Sequence, residues 1–118
     1  MILALKSVTP IAANGYHNAF TSLVQWHGAT YVAYRQAHSH NPYPPGYVVI
    51  ERSTDLEKWA IVGMLRTGGD DRDPHLVATA DDLYCLWGVY IPQYDVWTGR
   101  LSLSSSDLST YAARSHDG

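Results

Sequence analysis

The run Ser53-Thr54-Asp55-Leu56-Glu57-Lys58-Trp59-Ala60 returns, loosely, 52 residues later as Ser105-Ser106-Asp107-Leu108-Ser109-Thr110-Tyr111-Ala112. Serine, aspartate, leucine, an aromatic residue and alanine keep their places. A second set of matches holds nearly the same interval. Leu23-Val24 aligns with Leu76-Val77, and Tyr31 with Tyr84, each 53 residues apart. A repeat of this length is the size of one four-stranded propeller blade. A chain of 118 residues has room for two, and two blades cannot close a ring.

Strand signals dominate the chain. Runs rich in β-branched and aromatic residues lie near Ile2–Val8, Phe20–Trp26, Thr30–Gln36, Tyr47–Ser53, Trp59–Leu65, His75–Thr79, Leu83–Tyr90, Arg100–Ser105 and Tyr111–Arg114. Gly, Pro, Asn and Asp clusters separate them. No window carries sustained helical periodicity with caps. The expected fold is all-β: two four-stranded antiparallel propeller blades plus an N-terminal strand. The divisions are residues 1–13 for that strand, 14–66 for the first blade and 67–118 for the second, within one domain. Leu23 and Leu76 are expected to be buried equivalents on the two innermost strands. Met1 and an end just after a fourth strand are what a complete gene product would show.

A meander reverses at every turn. Loops after the first and third strands of a blade therefore share one face, and loops after the second and fourth share the other. The two Ser-x-Asp boxes fall on the first face. The second face collects residues 14–19, 35–46, 66–74 and 91–99. Within a box, Asp55 and Asp107 can accept backbone N–H bonds across a tight turn. Trp59 and Tyr111 can pack beneath it.

Composition narrows the partners. Nine Tyr and four Trp stand against one Phe; such amphipathic rings suit half-buried sheets and sugar-facing clefts alike. The net charge of −3 comes without any block of like charge, which argues against nucleic acid. Cys85 is the single cysteine, so no disulfide framework exists. The apolar start Met1–Leu5 stops at Lys6, too short for a signal core or a membrane span. Neither a membrane nor a cofactor is expected, and cytoplasmic residence is the default.

His17-Asn18-Ala19-Phe20-Thr21, Tyr31-Val32-Ala33-Tyr34-Arg35, the box ending in Trp59 and Arg72-Asp73-Pro74 together resemble bacterial sialidase-like, Asp-box (BNR repeat) propellers. The resemblance is in register from about His17 to Tyr90 and fainter through the second box. It departs from the family box at Glu57, where glycine is usual, and at Ser109 and Tyr111. Full members have six blades. The resemblance implies that arginines clamp a sialic acid carboxylate, with Arg35 and Arg72 as the candidates.

Read from the residues, the second face holds a plausible glycan site. Its members are His17, Asn18, Arg35, His38, His40, Arg72, Asp73, Tyr90, Tyr94 and Trp97. Guanidinium forks hold carboxylates, and aromatic faces stack on sugars. Arg72-Asp73 is equally readable as an internal ion pair locking the blades. The resemblance also implies a tyrosine nucleophile with a glutamate, but the chain's two glutamates, Glu51 and Glu57, lie toward the box face. Asp70, Asp71 or Asp73 would have to serve as acid or base in any hydrolase. His38, His40 and His17 could in principle meet at a metal; a polar, proline-bounded loop explains them without one, and no metal is expected. The first expectation is non-catalytic binding of a glycan or small acidic ligand. Glycoside hydrolysis and a protein-interaction role are the alternatives. Because two blades leave open sheet faces, a homotrimer rebuilding a six-bladed ring is expected, with the N-terminal strand as its clasp.

Overall fold

The computed structural model describes residues 4–94 and 96–117, those at 94 and 101–107 by their backbone. Strands β1 (His17–Trp26), β2 (Ala29–Ala37), β3 (Tyr47–Ser53) and β4 (Ala60–Leu65) form a four-stranded antiparallel sheet in sequential order. Strands β5 (Asp70–Ala78), β6 (Leu83–Tyr94) and β7 (Leu101–Ser115) form a second, three-stranded sheet. The fold is all-β, and no described helix is long and apolar enough to cross a membrane.

The repeat is visible in the pairing itself. His17↔Ala37, Leu23↔Val32 and Gln25↔Thr30 in the first sheet correspond to Asp70↔Tyr90, Leu76↔Cys85 and Ala78↔Leu83 in the second, each residue 53 positions on. Both inner strands carry an irregularity at the same place, Ala19/Ser22 and Arg72/His75. Within it Phe20 and Asp73 take positive φ, 58° and 50°. A bulge inserts a residue and turns the strand more sharply, so both inner strands are bent alike.

The sheets stack face to face. Trp26, Tyr31, Ala33 and Val48 of the first sheet meet Leu76, Leu83, Cys85, Trp87 and Val89 of the second in one core. Alternate residues of a strand face opposite ways, so the remaining side chains of β2 and β3 look outward. There Val32, Tyr34 and Val49 are covered by Ile11, Ala12 and Trp59. Two bonds join the inner ends of the sheets: Trp26 Nε1 donates to Thr79 O at 2.9 Å, and a His27 ring nitrogen lies 2.8 Å from Ala80 O. Burial pushes the Cys85 thiol up to about 11, as an inert core cysteine requires.

The Ser53–Trp59 turn forms as expected. Asp55 Oδ1 accepts from the backbone N–H of Glu57 at 2.9 Å and of Lys58 at 2.8 Å, while Ser53 Oγ accepts from Leu56 N at 2.8 Å. The Lys58 amide first, then that of Glu57, holds the Asp55 carboxyl below the ordinary carboxylate value. A depressed folded-state pKa stabilises above the unfolded value, about 4, and that stability fades as pH falls through the folded value. The stability gap between the parent chain and Asp55→Asn should therefore be constant above about pH 5 and close below about pH 4. A gap unchanged down to pH 2, read by denaturant titration, would remove Asp55 from this role.

Four expectations need correction. First, no strand spans residues 4–8, and Ile2 and Leu3 lie outside the described residues. Second, Arg100–Ser105 and Tyr111–Arg114 are not two strands, because β7 is one strand from Leu101 to Ser115 along the long β6, with a single register shift between Ser102 and Asp107. The second sheet thus has three strands. Third, Ser105–Ala112 makes no turn. The counterpart of Ser53, which pairs with Thr30, is Ser115, which pairs with Leu83. Ser115 Oγ lies 3.3 Å from Asp117 Oδ1, as Ser53 Oγ lies 3.1 Å from Asp55 Oδ1. Arg52 and Arg114 precede the two serines and pair with Tyr31 and Tyr84. Pairing with β6 outweighs a loose local likeness, because Asp107–Ser115 gains a continuous run of ladder partners on β6, with residues 103–106 lying in a register shift. Fourth, Leu76 is 8 % exposed but Leu23 is 59 % exposed. They are equivalent positions, and Leu76 is buried because the first sheet covers it. No described segment covers Leu23 in the same way.

Candidate functional site

Residues expected in loops before the inner strands are in fact the first residues of those strands: His17 and Asn18 open β1, and Asp70, Asp71 and Arg72 open β5. The meander places them at the same end as the loop after β2, residues 38–46. Everything at this end is organised by one carboxylate. Asp70 Oδ1 accepts from Arg35 Nε at 3.0 Å, Arg35 Nη2 at 2.6 Å and Gly46 N at 2.6 Å. Its Oδ2 accepts from Arg72 Nε at 2.6 Å and Nη2 at 2.5 Å. Arg35 and Asp70 side chains are fully buried, whereas Arg72 keeps 17 % of its side chain exposed.

Arg35 also ties down the loop. Its Nη1 donates to Ser39 O and its Nη2 to Asn41 O, both at 2.9 Å. Gly46 is held so close that an added Cβ would lie 2.7 Å from Arg35 Nε, so the glycine lets the loop backbone approach the guanidinium. Arg35 is therefore a positioning residue beneath the surface. Arg72 is the cation that reaches it. Its guanidinium carbon lies 5.8 Å from the Phe20 ring centre and 5.5 Å from that of Tyr90, and its Nη2 donates to His40 O at 3.4 Å. These distances are within cation–π range.

Around Arg72 the rings gather. His40 meets His17 edge to face at 5.5 Å and Phe20 at 5.4 Å, and His38 lies 5.6 Å from Tyr16. His17 Nδ1 and Asn18 Oδ1 are shielded from solvent with no hydrogen-bond partner. Buried polar atoms are normally satisfied; these two exceptions lie on opposite faces of the first sheet, His17 pairing with Ala37 and Asn18 with Gln36. Among the described residues no three His, Cys, Asp or Glu side chains are arranged to hold a metal.

The expected residues thus separate. Arg72, His17, His40 and Tyr90 converge, whereas Asn18 pairs with Gln36 and bonds to Asn14 on the other face of the first sheet. His38 borders them through Tyr16. Asp73 is exposed on the bulge, and the carboxylate partner of Arg72 is Asp70 rather than Asp73. Trp97, 93 % exposed, rides on the β6–β7 hairpin past Tyr90. The Tyr94 side chain and Asp95 lie outside the described residues. Phe20 was not foreseen; its alignment with Asp73 at the repeat interval was the available signal.

Of the three carboxylates expected to serve a hydrolase, Asp70 and Asp71 are occupied, while Asp73 stands exposed on the bulge. Both Asp70 oxygens are taken, and Asp71, 1 % exposed, accepts from Trp87 Nε1 at 2.8 Å and from Thr67 Oγ1 at 2.8 Å. Glu51 is not on the box face. It is buried in mid-sheet and accepts a hydrogen bond from the Tyr34 hydroxyl. Burial first, then the Glu51 hydrogen bond, raises the Tyr34 pKa far above its ordinary value. The hydrogen bond joins β2 to β3 with both side chains buried.

The chain is all-β, with antiparallel sheets of four and three described strands stacked together. Comparison with family models and with curated proteins gives no match for the chain.

Proposed function

We propose that this protein is a non-catalytic binding module for acidic glycans, built on a sialidase-like, Asp-box partial propeller that closes as a cyclic homotrimer. The observation that carries the binding reading is Arg72, partly exposed between Phe20 and Tyr90 and bonded to the carbonyl of His40, whose ring meets that of His17. Within the triad two guanidinium groups share one carboxylate, Asp70. An incoming carboxylate would complement that excess of cation, and the rings would take the apolar face of a sugar.

The assembly reading rests on a different observation. The second sheet stacks on the first through equivalent strands, with bonds between residues 53 apart. Applying the same step again places another copy's first sheet on the second sheet. That contact would cover Leu23 on one side and Val77 and Leu86, 48 % and 38 % exposed, on the other. A head-to-tail interface closes when its rotation divides the circle. Six blades from two per chain make a trimer. Three copies of Arg72 and Asp73 around one axis disfavour a mechanism that needs one acid and one distinct nucleophile, which ranks binding above hydrolysis.

Arg72→Lys separates binding from structure, because lysine keeps the charge but loses the planar fork. Affinity for sialylated or uronic oligosaccharides, read by calorimetry, should fall about tenfold or more with the melting temperature little changed. A lowered melting temperature with unchanged affinity would sink the binding role. Turnover of fluorogenic glycosides by the parent chain would overturn the non-catalytic reading.

A further inference from the structure

Residues 4–10 lie in no strand, and Leu5 and Val8 are 82 % and 81 % exposed. At the opposite side of the molecule, β7 is paired only with β6 among the described residues, and the second sheet is one strand short of the first. The repeat interval connects these two facts. Gly15 and Gly68, both at positive φ (82° and 98°), stand 53 residues apart. Asn18 Nδ2 donates to Asn14 Oδ1 at 2.9 Å, and Thr67 Oγ1 donates to Asp71 Oδ1 at 2.8 Å, again between equivalent positions. Counting back from there, residues 7–12 stand before β1 where β4, Ala60–Leu65, stands before β5.

The packing follows the same correspondence. Ile11 and Ala12 lie on the cluster of Val32, Tyr34 and Val49. Leu65 of β4 lies on the cluster that contains Cys85 and Trp87, the counterparts of Val32 and Tyr34. Within residues 7–12, Ile11 and Ala12 therefore sit against the first sheet as the end of a fourth strand of a preceding sheet would, yet no such sheet stands beside them among the described residues.

We infer that residues 7–12 of one copy pair with the free edge of β7 in the neighbouring copy and become the fourth strand of its second sheet. This rests on the ring assembly proposed above. The donor segment lies on the face of the first sheet turned away from its own second sheet, and in a head-to-tail ring that face meets the neighbour's second sheet. A long open edge such as the 15-residue β7 is normally covered or blunted, and main-chain pairing supplies the affinity of such additions. Pro10 has no N–H to give, which suits an outermost strand whose other edge faces solvent. The added strand would also wall in an apolar cleft of about 180 Å³ between β4 and β7, lined by Ile50, Val62, Leu65, Leu83, Cys85 and Ala113.

The register follows from the first sheet. Val48 pairs with Leu65, Thr110 is the β7 counterpart of Val48, and Ala12 is the counterpart of Leu65. Ala12 of one copy should lie opposite Thr110 of the next. The test is the double variant Ala12→Cys/Thr110→Cys in the full chain, oxidised mildly and run on a denaturing, non-reducing gel beside each single variant. Cys85 is 3 % exposed and does not compete. The expected result is disulfide-linked dimers and trimers from the double variant, absent from both singles, at an unchanged native mass. A trimer mass without these links would overturn strand donation and leave the ring standing. A disulfide confined within single chains would also overturn it. A monomer mass for the parent chain would overturn both.

Discussion

Asp70→Ala is expected to cost about 3–5 kcal/mol of stability, the usual penalty for stranding a buried charge, and to lower the melting temperature by roughly 10–20 °C. The reason is the arrangement around one carboxylate. Arg35 is fully buried and spends its Nε and Nη2 on Asp70. Without Asp70 that guanidinium has only the carbonyls of Ser39 and Asn41, and Gly46 N loses its acceptor. Gly46 backs directly onto the Arg35 guanidinium, so water has little room to enter as a substitute. Arg72 would lose its partner too, but it is partly exposed and can turn to solvent. Asp73→Ala, at an exposed bulge position whose positive φ aspartate tolerates better than alanine, should cost only about 1 kcal/mol. Thermal unfolding of the two variants makes the comparison. An Asp70→Ala protein melting within a few degrees of the parent would mean that the triad does not hold the loop.

Leu23→Asp should dissociate the proposed ring while leaving each chain folded. Leu23 and Leu76 are the same position in successive repeats, yet one is 59 % and the other 8 % exposed. In the isolated chain an aspartate at 23 faces water and costs little. In a ring it would meet the outward side of the neighbour's second sheet, around Val77 and Leu86, where an unpaired charge costs several kcal/mol. Light scattering at micromolar concentration should give about 39 kDa for the parent, three times 13.1 kDa, and 13.1 kDa for the variant. Circular dichroism should stay that of a folded β protein, with a lower melting temperature only through lost association. Leu76→Asp, by contrast, places the charge inside the chain's own core and should unfold it. A parent mass of 13.1 kDa, or a Leu23→Asp variant that keeps the parent mass, would defeat the assembly.

The site was partly legible. Residue types and meander parity put Arg72, His17, His40 and Tyr90 at one end of the molecule, and their contacts bring them together there. Parity needs only the order of strands, which antiparallel connections preserve. What it could not supply was the depth of each group. Arg35 and Arg72 are both arginines near a strand end, but Arg35 points from β2 into the space between the sheets and Arg72 lies toward solvent. The second Ser-x-Asp turn shows the opposite hazard. The nearer likeness, Ser105-Ser106-Asp107, lies within β7, while Ser115-His116-Asp117 occupies the turn position. A longer β6–β7 hairpin displaces it, and hairpin length is not written in the box.

The sequence by itself determined the β class, the interval of 53 residues and the Ser53–Trp59 turn. Each depends on interactions within a few residues: alternation along a strand, turn-forming glycines, and Ser53 and Asp55 bonding to amides two or three positions on. Only the tertiary structure decided that Arg72 pairs with Asp70 rather than Asp73, that β7 continues through Ser105–Ala112, and that Leu23 and Leu76 differ in burial. Those outcomes turn on contacts between strands far apart in the chain. Arg35 reaches Asp70 across 35 residues, and a leucine is buried or exposed according to whether a second sheet lies over it.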